Sequence, residues 1–412
     1  MTQLRIGFVL EGLALGGCPI NALDLARALR AQGHYVVVMA VDEQARVSVL
    51  PYAEGAGFDV IRIPPGAGLF GRAWHLRRTA RRHDLDVIHV FAAWLGRSAV
   101  LACGLRGRRV PIVLNGLMDN EFTTTRRTPL VVGTGGLHRE AVARHGPRSY
   151  LLEPPVDLAH DRPDEDLGRL FRDQHRFGQE ELVLVVVGRI DALAPEQQHH
   201  GVAKLPGLLL AMDALLAPGA PEARLVLVGD GSGMTQVSAR AAEVNRQLGC
   251  EAVVLVGALA DPRPAYAAAD VGLAMGGSAL RVMAHGCPLV VLGDRGFSRI
   301  FGPETVEQFL DDGYYGTVAP DDPVANLWAQ LDLLREADER RRLGEWGLEF
   351  VRGRHGLEAG ATRLEEIYRE SLAHDDGWWE RLADAAHLAG RDVLGRLARR
   401  AGPTRWLRGA PS

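Results

Sequence analysis

Residues 275–288, MGGSALRVMAHGCP, carry the most specific chemical signal in the sequence. A predicted strand runs into two glycines, Ser278 is a suitable N-cap for the helix that follows, and Gly286 ends that helix. The backbone amides that would then point toward an anion lie near Gly277, Ser278 and Ala279, and Leu280 is a further candidate binding residue. Arg281, one helical turn further on, could add a cation to a phosphate or ribose. The alternative is an ordinary capped core helix with a surface arginine.

A second cation stands at the end of another predicted strand. Arg189 directly follows the apolar run LVLVVVG at 182–188. An arginine at the carboxyl end of a strand in a cleft is well placed to stabilise a diphosphate leaving group. A surface salt bridge is the alternative role for this side chain.

Two glycine-rich turns also follow predicted strands. Gly16 and Gly17 come after the strand RIGFVL and open a helix, where small residues let backbone amides approach a phosphate. Asp230 and Gly231 lie in VGDGSG, where they would form either the rim of a ligand site or a plain turn. A purely structural turn remains the alternative at both places, because neither is a full GxGxxG fingerprint.

Polar residues leave two predicted strands of the first half. His89 lies at the end of DVIHV, and Asn115 and Asp119 follow VPIVL. Parallel strands present their carboxyl ends at one edge of a sheet, so these side chains could hydrogen-bond sugar hydroxyls or an acceptor. We assign them, with Arg189, as candidate catalytic residues. A structural histidine is the alternative for His89.

The elements that would position these residues alternate regularly along the chain. RIGFVL (5–10) and YVVVMAV (35–41) are apolar runs separated by an amphipathic helix, and similar pairs follow. Continuously apolar strands, each followed by a helix, predict an α/β fold with a parallel sheet buried on both faces. A polar segment at 154–181 interrupts this pattern, and a second alternation starts at 182. The sequence therefore predicts two parallel α/β units.

Length and composition agree with two soluble domains. The chain has 412 residues, which is too many for one ordinary core. Its net charge of -4 gives no sign of a nucleic-acid partner. The four cysteines are far apart in the sequence, which is typical of a reducing compartment, and we expect a cytoplasmic location. The sequence contains no run of 18 or more apolar residues, so we predict no membrane-spanning helix.

Two segments leave peripheral membrane contact open. The tail at 378–408 is amphipathic and basic, and it contains Trp378, Trp379 and Trp406 near its ends. It would form either a terminal helix on the protein surface or an interfacial membrane anchor. A helix near residues 72–82 presents several arginines, either as a solvated face or toward an anionic membrane or acceptor. These arginines are Arg72, Arg77, Arg78, Arg81 and Arg82.

The order of these motifs resembles that of the GT-B glycosyltransferases, and within them family 4. The similarity runs from about residue 5 to 372. The matching motifs, in chain order, are LGGCPINALDLARALRAQGHYVVV, DVIHV, PPVD, VGRI, LVLVGDG, AYAAADVGL, MAHGCPLVV and GLEAGATRLEEIYRESL. The resemblance implies two Rossmann-like, doubly wound parallel-sheet domains that face a cleft.

The resemblance also implies how the two domains divide the reaction. Residues 1–165, with a return helix at 357–375, would hold a small-molecule or glycan acceptor. Residues 178–356 would hold a UDP- or GDP-linked sugar, and 376–412 would form the tail. The family transfers the sugar with retention of anomeric configuration, and it needs no cofactor and no obligatory metal.

The chain departs from the family pattern at the donor site. Arg281-Val282-Met283-Ala284 stands where the family has Glu-Ala-Met-Ala, and the partner glutamate eight positions upstream is also missing. The family lysine that follows the strand-end arginine aligns best with Gln198, and Lys204, slightly further on, is the alternative. Asn115 stands where many members have a histidine.

These departures keep a second class of function open. The chain could be a catalytically atypical or inactive homologue that serves as a partner subunit. A sugar-nucleotide epimerase of the same architecture is a further alternative. A dinucleotide dehydrogenase is disfavoured, because the sequence has no full glycine fingerprint with an acidic residue about 20 positions later.

Overall fold

The computed structural model describes residues 2–43, 47–104, 112–115, 127–178, 180–192, 204–220, 222–316 and 318–374. Seven parallel strands form a sheet in the first half, in the order β3-β2-β1-β4-β5-β6-β7. They are β1 (Arg5–Leu10), β2 (Tyr35–Val41), β3 (Val60–Ile63), β4 (Val87–Val90), β5 (Ile112–Asn115), β6 (Leu130–Val132) and β7 (Ser149–Leu151). The order reverses between β1 and β4, and such a reversal opens a crevice at the carboxyl ends of the strands.

Helices cover both faces of this sheet. They are α1 (Gly17–Ala31), α2 (Leu50–Gly55), α3 (Leu69–Arg82), α4 (Ala93–Gly104) and α5 (Gly135–Arg144). Alternate residues of β2 enter two different cores, with Val38 on one face and Met39 on the other. This double burial explains why the strands read as continuous apolar runs rather than as alternating patterns.

Six strands form the second sheet, in the order β10-β9-β8-β11-β12-β13. They are β8 (Leu182–Val187), β9 (Ala223–Val228), β10 (Val253–Gly257), β11 (Val271–Ala274), β12 (Leu289–Leu292) and β13 (Ser298–Ile300). The chain order reverses between β8 and β11. The α/β fold with two doubly wound sheets is confirmed.

One edge of the second sheet differs from the all-parallel prediction. β13 runs antiparallel to β12. Only a short turn joins these strands, and Arg295 and Gly296 both adopt positive φ within it. A parallel partner would need a crossover of a dozen or more residues, so the short turn forces the antiparallel arrangement.

The remaining helices surround the second sheet and return to the first. They are α6 (Glu165–His175), α7 (Lys204–Ala214), α8 (Met234–Leu248), α9 (Arg263–Ala267), α10 (Gly277–Ala284), α11 (Val306–Asp312), α12 (Pro323–Leu333), α13 (Ala337–Arg354) and α14 (Leu357–Ala373). The apolar face of α14 joins the core beneath α1. No helix of the described ranges is both long enough and apolar enough to cross a membrane.

Two chain segments connect the halves and lie side by side. Val156 forms a parallel bridge with Gly356, and its amide donates to the His355 carbonyl at 2.7 Å. His355 also bonds Tyr314, between its Nε2 and the hydroxyl, at 2.7 Å. Burial lowers the pKa of His355 to about 4, so the ring is neutral at pH 7. The exact domain boundaries stay a prediction, and the tail at 376–412 lies outside the described residues.

Candidate active site

The switch point of the second sheet brings two predicted site segments together. Arg189 follows β8, and α10 starts after the neighbouring β11. The N-cap of α10 is Gly276, with φ 56°, so the prediction that Ser278 caps this helix is wrong. A Cβ on Gly277 would meet no atom within 4 Å, so this first turn faces open space. The open helix N-terminus remains suited to an anion.

Ser278 acts inside this site through its hydroxyl. Its Oγ donates to the Met275 carbonyl at 2.8 Å and accepts from Lys204 Nζ at 3.1 Å. The amide of the residue that follows is less available than predicted. The Ala279 amide already donates to the Gly276 carbonyl at 3.0 Å, and the Leu280 side chain is buried.

Lys204 is the cation that completes the site. Its Nζ also donates to the Val187 carbonyl at 3.0 Å, directly at the end of β8. A Cβ on Gly188 would stand only 2.1 Å from that Nζ, so the glycine makes room for the lysine. Burial, followed by the positive charges of Arg189 and Arg281, lowers the pKa of Lys204 to about 8. No carboxylate among the described residues pairs with Lys204. The charge of Lys204 is therefore not compensated by a carboxylate.

Arg189 projects from the end of β8 toward the first half of the chain. Its Nε pairs with Asp191 Oδ2 at 2.6 Å, and about half of the side chain is exposed. A Cβ on Gly16 would lie 3.8 Å from Arg189 Nη1, which places the two switch points opposite each other. The guanidinium therefore stands in the cleft between the two sheets.

The glycine pair of the first half faces the same cleft. Gly16 is the N-cap of α1, no side chain caps that helix, and its first turn contains no acidic residue. Gly17 is exposed, and a Cβ there would meet no atom within 4 Å. Uncapped amides at an open helix start can bind a phosphate or a hydroxyl oxygen.

The turn around Asp230 and Gly231 packs against the segment that carries Arg189. The Asp230 carbonyl accepts from the Ile190 amide at 3.0 Å, while its carboxylate accepts from the Gly231 amide at 2.7 Å. Gly231 has φ 158°, and a Cβ there would lie 2.0 Å from the Ile190 carbonyl oxygen. These contacts fix the turn that carries Arg189, which is a positioning role.

Arg281 does not point freely into the anion site as predicted. Its Nε lies 3.3 Å from Asp161 Oδ2 and its Nη2 lies 3.5 Å from Asp24 Oδ2. The Tyr52 hydroxyl donates to the other oxygen of Asp24 at 2.5 Å. All three charged side chains are largely buried. The two acidic partners come from α1 and from the connecting segment, so Arg281 joins the two halves of the chain.

The His89 assignment needs correction. The ring is fully buried, its Nδ1 bonds the Tyr368 hydroxyl at 2.7 Å, and it stacks on Phe91. Burial lowers its pKa to about 3, so the ring is neutral. A side chain without exposed surface cannot reach a sugar, and we interpret His89 as a core residue that packs α14 on the sheet.

Replacement of Tyr368 by phenylalanine tests this structural role. The change leaves His89 Nδ1 without its partner inside the core. We expect the free energy of unfolding to fall by about 1–3 kcal/mol, because a buried polar atom would lose its hydrogen bond. Urea unfolding would measure the loss, with turnover of the folded variant unchanged. A large fall in kcat at unchanged stability would instead return His89 to the active site.

The structure describes the other two candidate site residues of the first half only in part or not at all. Asn115 is the last residue of β5, beside Val131 of β6, but its side chain is outside the described part of the structure. Asp119 also lies outside the described residues. Both remain predictions. Across the described ranges, no group of three or more histidine, cysteine or acidic residues is arranged to hold a metal ion.

Family models match both halves of the chain. Residues 15–127 match the model of glycosyltransferase family 4, and residues 181–336 match that of glycosyl transferases group 1. Together the matches cover well over half of the sequence. The chain is a GT-B glycosyltransferase with a family 4 domain in its first half and a group 1 domain in its second. A comparison with curated proteins finds no match.

Solved glycosyltransferases share this fold at low sequence identity. A glycosyltransferase from Rickettsia africae has a TM-score of 0.68 at 14% identity, covering 91% of this chain and 100% of its own. Alr3699/HepE from Anabaena, in complex with UDP-glucose, has a TM-score of 0.65 at 15% identity, with 89% and 100% covered. Sucrose-phosphate synthase from Thermosynechococcus elongatus has a TM-score of 0.64 at 17% identity, with 90% and 99% covered.

Three residues of this glycosyltransferase site could not be assigned from the sequence. Asp24 and Asp161 lie far from Arg281 in the chain, and no local pattern pairs them with it. Tyr315 packs its hydroxyl where a Cβ on Gly276 would stand. In the sequence, the only sign of this close approach of Tyr315 to the backbone is the glycine at position 276.

Proposed function

We propose that this glycosyltransferase takes its sugar from a nucleoside diphosphate sugar, UDP- or GDP-linked, and transfers it with retention to an acceptor hydroxyl. The observation that carries the proposal is the cluster at the second switch point. Lys204 contacts Ser278 in the open first turn of α10, lies near the charge of Arg189, and has no carboxylate partner among the described residues. A diphosphate is the natural occupant of such a position.

The cluster suits the charge that develops during transfer. The bond between the anomeric carbon and the diphosphate oxygen breaks, and the leaving group gains negative charge. Lys204 and Arg189 meet that charge as fixed cations, which is how preorganised sites lower a barrier. The acceptor oxygen attacks the same face of the sugar, and the departing phosphate takes its proton.

The acceptor would approach from the first sheet. Gly16 and Gly17 present open amides directly opposite Arg189. A glycan or small molecule with several hydroxyls fits such a surface. The retaining outcome follows the family resemblance, and Alr3699/HepE, which shares the fold, has been crystallised with UDP and glucose. All four cysteines are free, which fits the reducing cytoplasm that we propose as its location.

Calorimetric titration with UDP, GDP, dTDP and ADP tests the donor site. We expect one nucleotide to bind, and Arg189→Ala to weaken that binding by more than tenfold, about 1.4 kcal/mol. Arg240→Ala is the matched control, because Arg240 also pairs with one aspartate but lies on α8, away from the cleft. Equal binding by wild type and Arg189→Ala would contradict the proposal.

A second candidate is a homologue that binds a nucleotide without turnover. The observation that favours it is the engagement of Arg281 by Asp24 and Asp161, at the position where the family has a glutamate. An assay for slow hydrolysis distinguishes the two candidate functions. It uses the sugar nucleotide whose nucleotide binds in the titration. Release of free sugar supports the enzyme, whereas tight binding without any release supports the partner subunit.

A further inference from the structure

Helix α3 exposes two large aromatic side chains. Phe70 is 62% exposed and Trp74 is 53% exposed, one helical turn apart on the same face. The opposite face is buried in the core through Leu69, Ala73, Leu76 and Ala80. Two adjacent aromatic rings left in water by an otherwise well-packed helix indicate an interaction surface.

Exposed arginines continue this face toward the end of α3. Arg78 and Arg81 follow Trp74 at helical spacing, Arg82 lies beside them, and all three are exposed. The Arg78 guanidinium sits 5.3 Å above the centre of the Trp74 ring. Helix α3 contains no acidic residue, and no carboxylate of the described ranges pairs with these three arginines.

We infer that the α3 face, defined by Phe70, Trp74, Arg78, Arg81 and Arg82, docks the protein on an anionic lipid surface. Aromatic rings favour the boundary between headgroups and acyl chains, while arginines pair with lipid phosphates. The rings and the guanidinium groups share one exposed face, so both can reach the same surface together.

The direction of α3 adds a geometric consequence. A helix that follows a strand in such a sheet runs back antiparallel to it, so the aromatic end of α3 lies at the carboxyl edge. Trp94, at the start of α4, lies at this edge and donates through Nε1 to Glu11, just after β1. Docking through α3 therefore brings the aromatic end of the helix, at the carboxyl edge, against the lipid. This inference does not depend on the proposed donor.

Vesicle flotation with the full chain tests the inference. The probes are vesicles of phosphatidylcholine alone and with about one third phosphatidylglycerol. We expect the wild type to bind the anionic vesicles at least tenfold better. Phe70→Ser with Trp74→Ser should weaken that binding at least tenfold. Arg78→Gln with Arg81→Gln and Arg82→Gln should remove the preference for anionic lipid.

Matched controls separate the α3 face from general surface effects. Leu170→Ser with Leu333→Ser removes two side chains that are just as exposed, at 65% and 60%. Arg341→Gln, Arg342→Gln and Arg352→Gln remove three exposed arginines of α13. Both controls should bind vesicles like the wild type. Unchanged thermal unfolding of the α3 variants shows that they are folded.

Three outcomes would overturn the inference. The α3 variants could bind like the wild type, which assigns any lipid binding to another part of the chain, such as the tail. The wild type could bind neutral and anionic vesicles equally. It could also bind no vesicle while binding heparin or nucleic acid, which would make the α3 face a polyanion site of a different class.

Discussion

Lys204→Met is expected to reduce kcat/KM by about 10²–10³, the loss typical of removing one fixed donor from a developing anion. Methionine keeps the length of the buried stem and removes only the charge and the hydrogen bonds to Val187 and Ser278. Steady-state turnover of the sugar nucleotide measures the effect. Loss of fold is the competing explanation, so circular dichroism of the variant must match that of the wild type.

The pH dependence of nucleotide affinity provides the control for this prediction. With its pKa lowered to about 8, Lys204 is charged below that pH and loses its proton as the pH rises through it. We therefore expect affinity to be high near pH 7 and to fall toward about pH 9. Lys204 is the single lysine of the chain, so no other lysine contributes. The same fall in Lys204→Met would show that another group is responsible.

Most strands and helices could be predicted because their buried positions are occupied by apolar residues in a regular pattern. The bounds of β1 and β2 agree with the apolar runs, since strands covered on both faces admit no polar interruption. Helix α14 likewise follows its 3.6-residue pattern. The antiparallel β13 was missed, because three residues with one exposed arginine carry no periodic signal.

The site was harder to predict because its contacts span long distances in the chain. The local turn chemistry indicated Arg189 and the start of α10 at strand ends, and the strand order of the second sheet makes them neighbours. Lys204 could not be aligned with certainty, because loop length decides where α7 begins and a single sequence does not reveal it. His89 looked like a strand-end polar residue, yet the strand continues and its ring turns into the core.

Arg281→Met is expected to lower the free energy of unfolding by about 3–5 kcal/mol, the usual effect of removing one partner from a buried ion pair. Asp24 is 2% exposed and Asp161 is 8% exposed, and both depend on this guanidinium for compensation. Asp24, on α1, is joined to Arg281 of the second half, so the contact between the two halves should also loosen. Thermal unfolding measures the first effect, and small-angle scattering measures the second as a larger radius of gyration.

Arg246→Met is the matched control, because Arg246 pairs with Glu243 on the open surface of α8. Its effect should stay below about 1 kcal/mol. A second test adds Asp24→Asn and Asp161→Asn to Arg281→Met. We expect this triple variant to recover most of the stability, since it removes the uncompensated charges themselves. A single Arg281→Met variant as stable as the control would show that the network contributes nothing.

At acid pH, the loss of stability caused by Arg281→Met alone should be smaller. Burial already raises the pKa of Asp24, against the opposing effects of the Tyr52 hydrogen bond and the Arg281 charge. Loss of Arg281 raises that pKa further, and a raised carboxyl pKa in the folded state favours folding as the pH falls through it. The difference between wild type and Arg281→Met should therefore be smaller near pH 4 than at about pH 7. A difference that grows on acidification would exclude Asp24 as the group left uncompensated.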